Sequence, residues 1–333
     1  MRNYKEFNSC CTKINQWYRK ESKILTITTS PYNTNLIYSS IISEVIRKKG
    51  KVIYIWGNEE EDRELINNIK LKISSIKYAF LKSGQEDLDI TFTSFENIIN
   101  IRGYYDLCII DDISAFSLMN KENIVELLEG IYLYNKRIII YSIEKVVLMG
   151  SLIELASVVN NVPFVEPRII NTRINLSEDI PYALYDYLKW FRDNKRRVVI
   201  YVPTVEKVNK VYDYYNGVVK LENTKIISFK IGESTKKIDK ITNIKDRSVF
   251  IITNYYGQYL NKINNLDIVI LFSDNRFYSY KKILYLCAEV GKDNERSGEV
   301  LMVSKYISVD MENAKKISRD FNKKIWEKGF LSY

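Results

Sequence analysis

The chain has 333 residues, of which 50 are Lys or Arg, 41 are Asp or Glu and none is His. The absence of His excludes Ser-His-Asp and Cys-His catalysis and zinc sites built on His. Only 12 residues are Gly, so glycine clusters of the kind that cradle phosphate groups are scarce. A chain of this length allows two domains of about 150 residues each.

Cysteine usage and hydropathy narrow the class of protein further. The four Cys residues form no Cys-x-x-Cys pair, which argues against a zinc ribbon, and we predict no metal site. The opening residues do not resemble a signal peptide, and no apolar run approaches the roughly 18 residues of a membrane span. We therefore expect a cytoplasmic protein with reduced cysteines and no integral membrane segment.

Apolar runs of strand length alternate with helical patterns in the first half of the chain. Strands are predicted at 24–29, 51–56, 78–81, 107–110 and 137–141. Helices are predicted at 35–49, 61–73 and 123–134. Strands this continuous in Ile, Val and Leu are typical of a parallel sheet covered on both faces, so the pattern predicts a doubly wound α/β domain.

The alternation stops near Pro163 and Pro167 and then starts again. We interpret 161–175 as a linker because it contains two prolines and lacks a helical period. Further strands are predicted at 197–202, 225–229, 249–253, 267–272 and 299–303, and helices at 182–193, 204–215, 278–287 and 311–328. The sequence therefore predicts two α/β domains, 1–160 and 176–333.

The positive charge lies entirely in the second half. Residues 1–165 contain 20 Lys or Arg and 20 Asp or Glu, whereas residues 166–333 contain 30 and 21. Basic residues with interleaved tyrosines are typical of proteins that bind single-stranded nucleic acid. The candidates are Arg168, Arg173, Tyr255, Lys281 and Lys282. A solvated, lysine-rich face with half-packed tyrosines explains the same pattern equally well.

An apolar strand ends in Asp111 and Asp112, where nucleotide-hydrolysing α/β folds hold Mg²⁺ and nucleotide. Asp is also common at strand ends because its side chain hydrogen-bonds the turn. The first strand runs into Thr29-Ser30-Pro31-Tyr32-Asn33-Thr34, which contains neither Gly nor Lys. Pro31 has no N–H, Tyr32 adds a bulky side chain and Asn33 has no charge, so this loop is poorly suited to a triphosphate.

The order of these pieces resembles a superfamily 2 helicase core, and in detail the late-competence DNA-uptake helicase family (ComFA). Five segments carry the resemblance: 105–116, 163–168, 198–204, 250–271 and 297–300. They are similar to the family's Asp-Glu-x-Asp-Ala-Phe, Leu-Pro-x-Pro-Arg, Phe-Val-Pro-Thr, Thr-Thr-x-x-x-Glu-Arg-Gly and Gly-Glu-Val. The resemblance implies two tandem RecA-like domains that bind nucleic acid, single-stranded DNA above all, with Thr253 among the contacts. It also implies a protein partner from the competence machinery.

The same comparison shows what the chain lacks. The family's Gly-Ala-Gly-Lys-Thr falls on 30–34, which leaves Asn33 and Thr34 as candidate nucleotide contacts. Its last motif places Glu289 and Lys292 where the family has two arginines. An arginine finger supplies about 10³–10⁵ in rate for phosphoryl transfer. We therefore predict tandem RecA-like domains without a functional P-loop and without a bound cofactor, and Mg-ATP is expected only if the family activity is retained.

Three functions remain open at this point. The first is a helicase-like protein that binds single-stranded DNA, takes part in DNA uptake and no longer hydrolyses ATP. The second is a non-catalytic regulatory or scaffold paralogue that binds a protein partner. The third is a residual ATP-dependent DNA translocase. Under each of them we expect a cytoplasmic location, peripheral to the membrane if a partner holds the protein there.

Overall fold

The computed structural model describes residues 4–20, 22–117, 119–156, 162–234, 236–242, 244, 246–257, 263, 266–290 and 298–330. The chain divides into two compact units, Met1–Asn161 with Lys324–Tyr333, and Val162–Lys323. The predicted second domain included the last ten residues, which the structure groups with the first unit. Two ion pairs join them to that unit, one from Lys324 to Glu154 (2.6 Å) and one from Lys328 to Glu6.

The first unit is a seven-stranded parallel sheet with helices on both faces. Its strands are β1 (Ile24–Thr28), β2 (Val52–Trp56), β3 (Tyr78–Phe80), β4 (Ile90–Ser94), β5 (Leu107–Asp111), β6 (Ile138–Ser142) and β7 (Ser151–Glu154). Its helices are α1 (Tyr4–Tyr18), α2 (Ser39–Arg47), α3 (Arg63–Lys70) and α4 (Lys121–Ile131). The strand order is β3-β4-β2-β5-β6-β1-β7.

The inner strands of this sheet are buried along their whole length. Every residue of β1, β2, β4, β5 and β6 is buried, as expected for strands covered on both faces. Helix α4 packs Ile124 and Leu128 against a face that includes Ile53 and Cys108. Local signals fix the helix starts: the Asp62 side chain accepts from the backbone N–H of Leu65 (2.8 Å) at the start of α3.

The second unit is a six-stranded parallel sheet in the order β10-β11-β9-β12-β13-β8. Its strands are β8 (Arg168–Asn171), β9 (Arg197–Tyr201), β10 (Thr224–Phe229), β11 (Ser248–Thr253), β12 (Leu266–Leu271) and β13 (Val300–Ser304). Its helices are α5 (Tyr182–Asp193), α6 (Val205–Tyr214), α7 (Lys236–Thr242), α8 (Tyr280–Val290) and α9 (Val309–Glu327).

Strand β8 lies inside the segment 161–175 that the sequence predicts to be a linker. Its residues pair with β13 at the edge of the sheet, with Ile169 opposite Met302 and Ile170 opposite Val303. Pro167 directly precedes the strand, a position that proline tolerates on an edge strand. Pro167 therefore marks the start of a strand within the segment predicted to be a linker.

The strand register determines which residues lie next to one another at the carboxyl ends of the strands in each sheet. In the first sheet, Asp111 at the end of β5 pairs with Trp56 on β2 and with Tyr141 on β6. In the second sheet, Thr253 at the end of β11 pairs with Tyr201 on β9. Ligands of open α/β sheets bind outside the carboxyl ends of the strands, so these edges are where a site is expected. Among the helices that the structure describes, none is long and apolar enough to cross a membrane.

Candidate nucleotide and nucleic-acid sites

The loop that follows β1 makes hydrogen bonds to its own protein through its backbone amides. The N–H of Thr29 donates to Ser142 O (3.1 Å), and the N–H of Tyr32 donates to Ile113 O (2.9 Å). Tyr32 has a φ of +58°, a left-handed conformation that favours glycine over a residue with a side chain. Pro31 has no N–H to offer. A phosphate-binding nest needs several amides pointing outward together, and the amides of Thr29 and Tyr32 are already engaged.

Asn33 and Thr34 hold this loop in place. The buried Asn33 side chain donates to Thr29 Oγ1 (2.7 Å) and to Ala156 O (3.2 Å), and its Oδ1 accepts from the N–H of Thr34 (2.9 Å). The hydroxyl of Thr34 accepts from the N–H of Leu36 (3.2 Å), at the start of the next helical turn. Asn33 and Thr34, two of the four residues predicted to contact nucleotide, thus have local hydrogen-bonding roles.

Asp111 is fully buried at the end of β5, and both of its carboxylate oxygens accept hydrogen bonds. Oδ1 accepts from the N–H groups of Ile113 and Ser114, each at 2.9 Å. Oδ2 accepts from the hydroxyl of Tyr54 on β2. Burial raises the pKa of Asp111 above its usual value, while these donors act in the opposite direction. The donors therefore compensate in part for burying the carboxylate.

Tyr54 connects Asp111 to a longer hydrogen-bond network. Its hydroxyl accepts from the amide of Asn35 (3.0 Å), and the same amide donates to Asp62 Oδ2 (2.6 Å). Burial raises the pKa of Tyr54 well above its usual value, so the hydroxyl stays protonated and remains a donor. The network links strand β2, strand β5 and the start of α3.

Two more tyrosines fill the space around these acids. Tyr141 on β6 donates to Thr34 O (3.1 Å), and its ring meets that of Tyr38 edge to face at 5.5 Å. Asp112 is buried as well, and its N–H donates to Tyr141 O (2.9 Å). The sequence analysis did not identify Tyr38, Tyr54 or Tyr141. For Tyr54 and Tyr141, the signal available was a tyrosine within a buried, mainly aliphatic strand.

These contacts do not fit a bound Mg-triphosphate. The loop carries no lysine to neutralise phosphate charge, and its Asn33 side chain is used within the protein. The carboxylate that would face Mg²⁺ accepts three donors from the chain itself. Within the described residues, no group of three or more Cys, Asp and Glu side chains is arranged to hold a metal ion.

The second sheet brings part of the predicted nucleic-acid site together at its carboxyl edge. Arg173 follows β8, is exposed, and makes no ion pair or hydrogen bond through its side chain with any residue that the structure describes. Thr253 ends β11, and its Oγ1 accepts from the N–H of Tyr255 (2.9 Å). The ring of Tyr255 is half-buried and packs against Phe229 at 5.8 Å.

The two lysines at the start of α8 have different environments. Lys281 is buried, whereas Lys282 is half-buried. The ammonium of Lys282 donates to Phe277 O (2.8 Å) and lies 3.8 Å from the centre of the Phe277 ring. Burial lowers the pKa of Lys282 below its usual value. Lys282 therefore lies at the predicted surface, and Lys281 packs into the unit.

Arg168 lies at the opposite edge of the sheet from Thr253 and Tyr255. It begins β8, so it sits at the amino ends of the parallel strands. Its guanidinium makes an ion pair with Glu299 (2.8 Å), which also raises the pKa of Arg168. Residues 168–171 form a strand that runs parallel to β13. Its first residue, Arg168, therefore lies at the amino ends of the strands, whereas Thr253 and Tyr255 lie at the carboxyl ends.

Glu289 and Lys292, which fall where the resembling family has two arginines, are described only in part. Glu289 is buried near the end of α8. Lys292 lies outside the described residues. The structure therefore places one member of this pair inside the second unit.

Three residues at the carboxyl edge were missed by the sequence analysis. Lys207, in the first turn of α6, places its ammonium 3.4 Å from the centre of the Phe272 ring. Phe272 follows β12 with a φ of +57°, an uncommon conformation for a bulky residue. Lys305 follows β13 directly and is exposed. Together with Lys282, these two lysines follow three different strands; they are far apart in the sequence, and only the sheet brings them to one edge.

Comparison with known proteins supports the fold. No protein-family model matches the sequence, and no curated protein is similar to it. In structure the chain resembles S. cerevisiae Dbp5 bound to RNA and ADP BeF3, with a TM-score of 0.50 and 10% identity over 98% of this chain and 95% of that chain. It also resembles the E. coli DExH-box NTPase HrpB, with a TM-score of 0.52 and 11% identity over 93% of this chain.

The matched region spans 42% of HrpB, less than half of that protein. Identities near one in ten establish the fold and leave the activity open. The predicted fold class is confirmed: the chain consists of two parallel-sheet α/β units that match the tandem RecA-like fold of helicases. The similarity extends to helicase cores in general and does not single out the DNA-uptake family.

Proposed function

We propose that this chain is a helicase-like protein that binds single-stranded nucleic acid, DNA in preference, and does not hydrolyse ATP. The observation that carries the second half of this proposal is the engagement of Asp111 by Tyr54 and by two backbone amides. Mg-ATP would have to displace these donors from a buried carboxylate. The donors are built into strand β2 and the turn after β5, so they cannot be removed without disturbing the sheet.

The composition of the loop after β1 supports the same conclusion. Lysine and outward-pointing amides provide most of the binding energy for phosphates in P-loop proteins, and this loop has Pro31 and Asn33 in their place. Glu289 and Lys292 stand where the resembling helicase family has two arginines, which we take as its arginine fingers. Loss of an arginine finger alone costs about 10³–10⁵ in rate, so losses at both places leave no useful turnover.

The carboxyl edge of the second sheet is the surface that we propose for nucleic acid. We define it by Arg173, Lys207, Tyr255, Lys282 and Lys305, each of which follows the carboxyl end of a different parallel strand. Cations there can contact phosphates, and the aromatic rings beside them can stack on bases. The excess of basic residues in this half of the chain supports the choice.

The biological process and the protein partner rest on the sequence resemblance alone. The resemblance to the late-competence family favours DNA uptake and favours single-stranded DNA over RNA. A partner from that machinery would also explain how a protein without a described membrane helix works beside the membrane. We propose both on that basis.

One preparation is sufficient to test the proposal. Binding of a fluorescent 20-nucleotide single-stranded DNA is measured between 50 and 300 mM salt, together with binding of a fluorescent ATP analogue in the presence of Mg²⁺. We expect micromolar DNA binding that weakens steeply with salt, and no saturable nucleotide binding. The same oligonucleotide as RNA tests the preference.

The outcomes separate the three functions. No DNA binding at 50 mM salt would contradict the proposal and favour the regulatory paralogue. Saturable binding of the ATP analogue that Asp111→Asn abolishes would favour the residual translocase. An RNA affinity equal to or above the DNA affinity would contradict the assignment to DNA uptake.

A further inference from the structure

Two neighbouring connections of the second unit lie side by side at the carboxyl edge of its sheet. Phe272 follows β12, and Lys305 and Tyr306 follow β13, the strand that pairs with β12. Just past the end of β12, the N–H of Ser273 donates to Val303 O (3.1 Å). The two connections therefore leave the sheet next to each other.

The backbone of Tyr306 is held on both sides of its Cα atom. Its N–H donates to Asp274 Oδ2 (3.3 Å), and its carbonyl oxygen accepts from the hydroxyl of the buried Ser304 (2.7 Å). Tyrosine has only two side-chain torsions, so a Tyr ring on a fixed backbone loses little conformational entropy when it binds a ligand. Tyr306 is thus preorganised for a contact.

The side chain of Tyr306 is left open to solvent. It is 64% exposed, and within the described part of the chain its ring meets no other aromatic ring and its hydroxyl makes no hydrogen bond. Two other tyrosines of this edge use their rings inside the protein. Tyr255 packs against Phe229, and Tyr256 stacks on Tyr201 with the ring centres 4.4 Å apart. Of these three tyrosines, Tyr306 has the ring that is most accessible to a ligand.

Two lysines accompany this ring. The ammonium of Lys305 lies 5.4 Å from the centre of the Tyr306 ring, and that of Lys207 lies over Phe272 in the neighbouring connection. Burial lowers the pKa of Lys207, and the nearby Asp274 carboxylate acts in the opposite direction. Two cations and one anion leave a net positive charge beside an exposed ring. Proteins that bind single strands combine cations for the phosphates with aromatic rings for the bases.

We propose that Tyr306 stacks on an unpaired base of the bound strand while Lys305 contacts a phosphate beside that base. The proposal rests on the proposed nucleic-acid surface and adds the contact that selects a single strand over a duplex. The bases of a duplex are paired and stacked on one another, so their faces are closed to the ring, whereas the bases of a single strand can be splayed onto it. Every base has a π-face, so the contact tolerates any sequence.

Matched variants of the full-length protein test the stacking contact. Tyr306→Ala removes the ring and Tyr306→Phe keeps it. Tyr134→Ala is the control, because Tyr134 has a similar exposure (61%) and belongs to the first unit. We expect Tyr306→Ala to raise the Kd for a fluorescent single-stranded DNA at least about fivefold, the lower end of the range for one base stacked on an aromatic ring. The other two variants should leave the Kd unchanged.

A strand of abasic nucleotides separates the effect of the ring from that of the charges. It keeps the phosphates and lacks the bases, so the original protein and Tyr306→Ala should bind it equally well. The original protein should also bind the single strand more tightly than the duplex of the same sequence. Tyr306→Ala should reduce that preference.

The outcomes distinguish this proposal from the function on which it rests. If the original protein binds DNA and Tyr306→Ala binds it equally well, the stacking contact is wrong and the proposed function stands; a protein partner would then be the better candidate for the exposed ring. An equal loss in Tyr306→Phe, or an equal loss on the abasic strand, would also overturn the stacking contact. Absence of DNA binding by the original protein would contradict both.

Discussion

Both carboxylate oxygens of Asp111 accept hydrogen bonds from the chain, and this detail is the main support for the proposed loss of ATP hydrolysis. The sequence predicted an acid at the end of this strand and a degenerate loop nearby. It did not predict the Tyr54 hydroxyl on Asp111, because residues 54 and 111 are brought together only by the parallel register of β2 and β5. At the scale of the residue, the sequence does not show which strands pair, and this pairing is what brings the Tyr54 hydroxyl to Asp111.

Replacement of Tyr54 by Phe should destabilise the first unit. The hydroxyl is a donor to the buried Asp111 and an acceptor for Asn35, so its removal leaves two buried groups short of a partner. We expect the free energy of unfolding in urea to fall by about 1–3 kcal/mol. Tyr38→Phe is the matched control, because the buried Tyr38 hydroxyl has no hydrogen-bond partner among the described residues. An equal loss in both variants would show that the Tyr54 hydroxyl has no special role.

The pH dependence of stability should reveal the buried Asp111. Burial raises the pKa of Asp111 in the folded state, so the folded protein holds this proton at pH values where the unfolded chain has lost it. Its contribution to stability therefore decreases as pH rises from about 4, near the pKa of an unfolded Asp, through the folded pKa. Asp111→Asn removes this contribution. As pH rises from 4 to 7, the free energy of unfolding of the original protein should therefore fall relative to that of the variant. A constant difference across that range would contradict the assignment.

At the scale of the element, most buried strands and the short edge strand β3 were predicted, whereas the buried strand β4 and the edge strands β7 and β8 were missed. Strands such as β5 and β9 consist mainly of branched aliphatic residues, and this pattern can be recognised in the sequence without knowing which strands pair. Strands β7 and β8 have four residues each and lie at sheet edges. Their strand conformation comes from pairing with a neighbour, which a local pattern does not record.

The placement of β8 also changes which arginine belongs to the proposed nucleic-acid surface. Arg173 lies at the carboxyl edge and Arg168 at the amino edge, although they are five positions apart in the sequence. A sequence-based grouping of basic residues joins them, whereas the sheet separates them. Lys281 does not belong to the proposed nucleic-acid surface either, because it is buried on α8.

Arg173→Ala should therefore weaken binding of single-stranded DNA, and Arg168→Ala should not. If Arg173 contacts one phosphate, its loss should reduce the slope of log K against log salt by about 0.7. Arg168→Ala is a fair control, because its exposed ion pair with Glu299 contributes only about 0–1 kcal/mol to stability. Equal losses of affinity in the two variants would contradict the proposed edge.

At the scale of the whole molecule, the charge and the fold agree. The excess of basic residues lies in the half of the chain that forms most of the second unit, and that unit's carboxyl edge gathers lysines from three separate connections. The first unit has the same parallel architecture but fills its corresponding edge with tyrosines and internal hydrogen bonds. The second unit thus presents the surface that we propose for nucleic acid, and the loop after β1 in the first unit has no lysine for a triphosphate.

Hydrolysis of Mg-ATP by the purified full-length chain, with saturating single-stranded DNA present, tests the central claim most directly. We predict phosphate release indistinguishable from that of a protein-free control, because the buried Asp111 is engaged by Tyr54 and the loop after β1 lacks a lysine. DNA-stimulated phosphate release that disappears in Asp111→Asn would contradict the account.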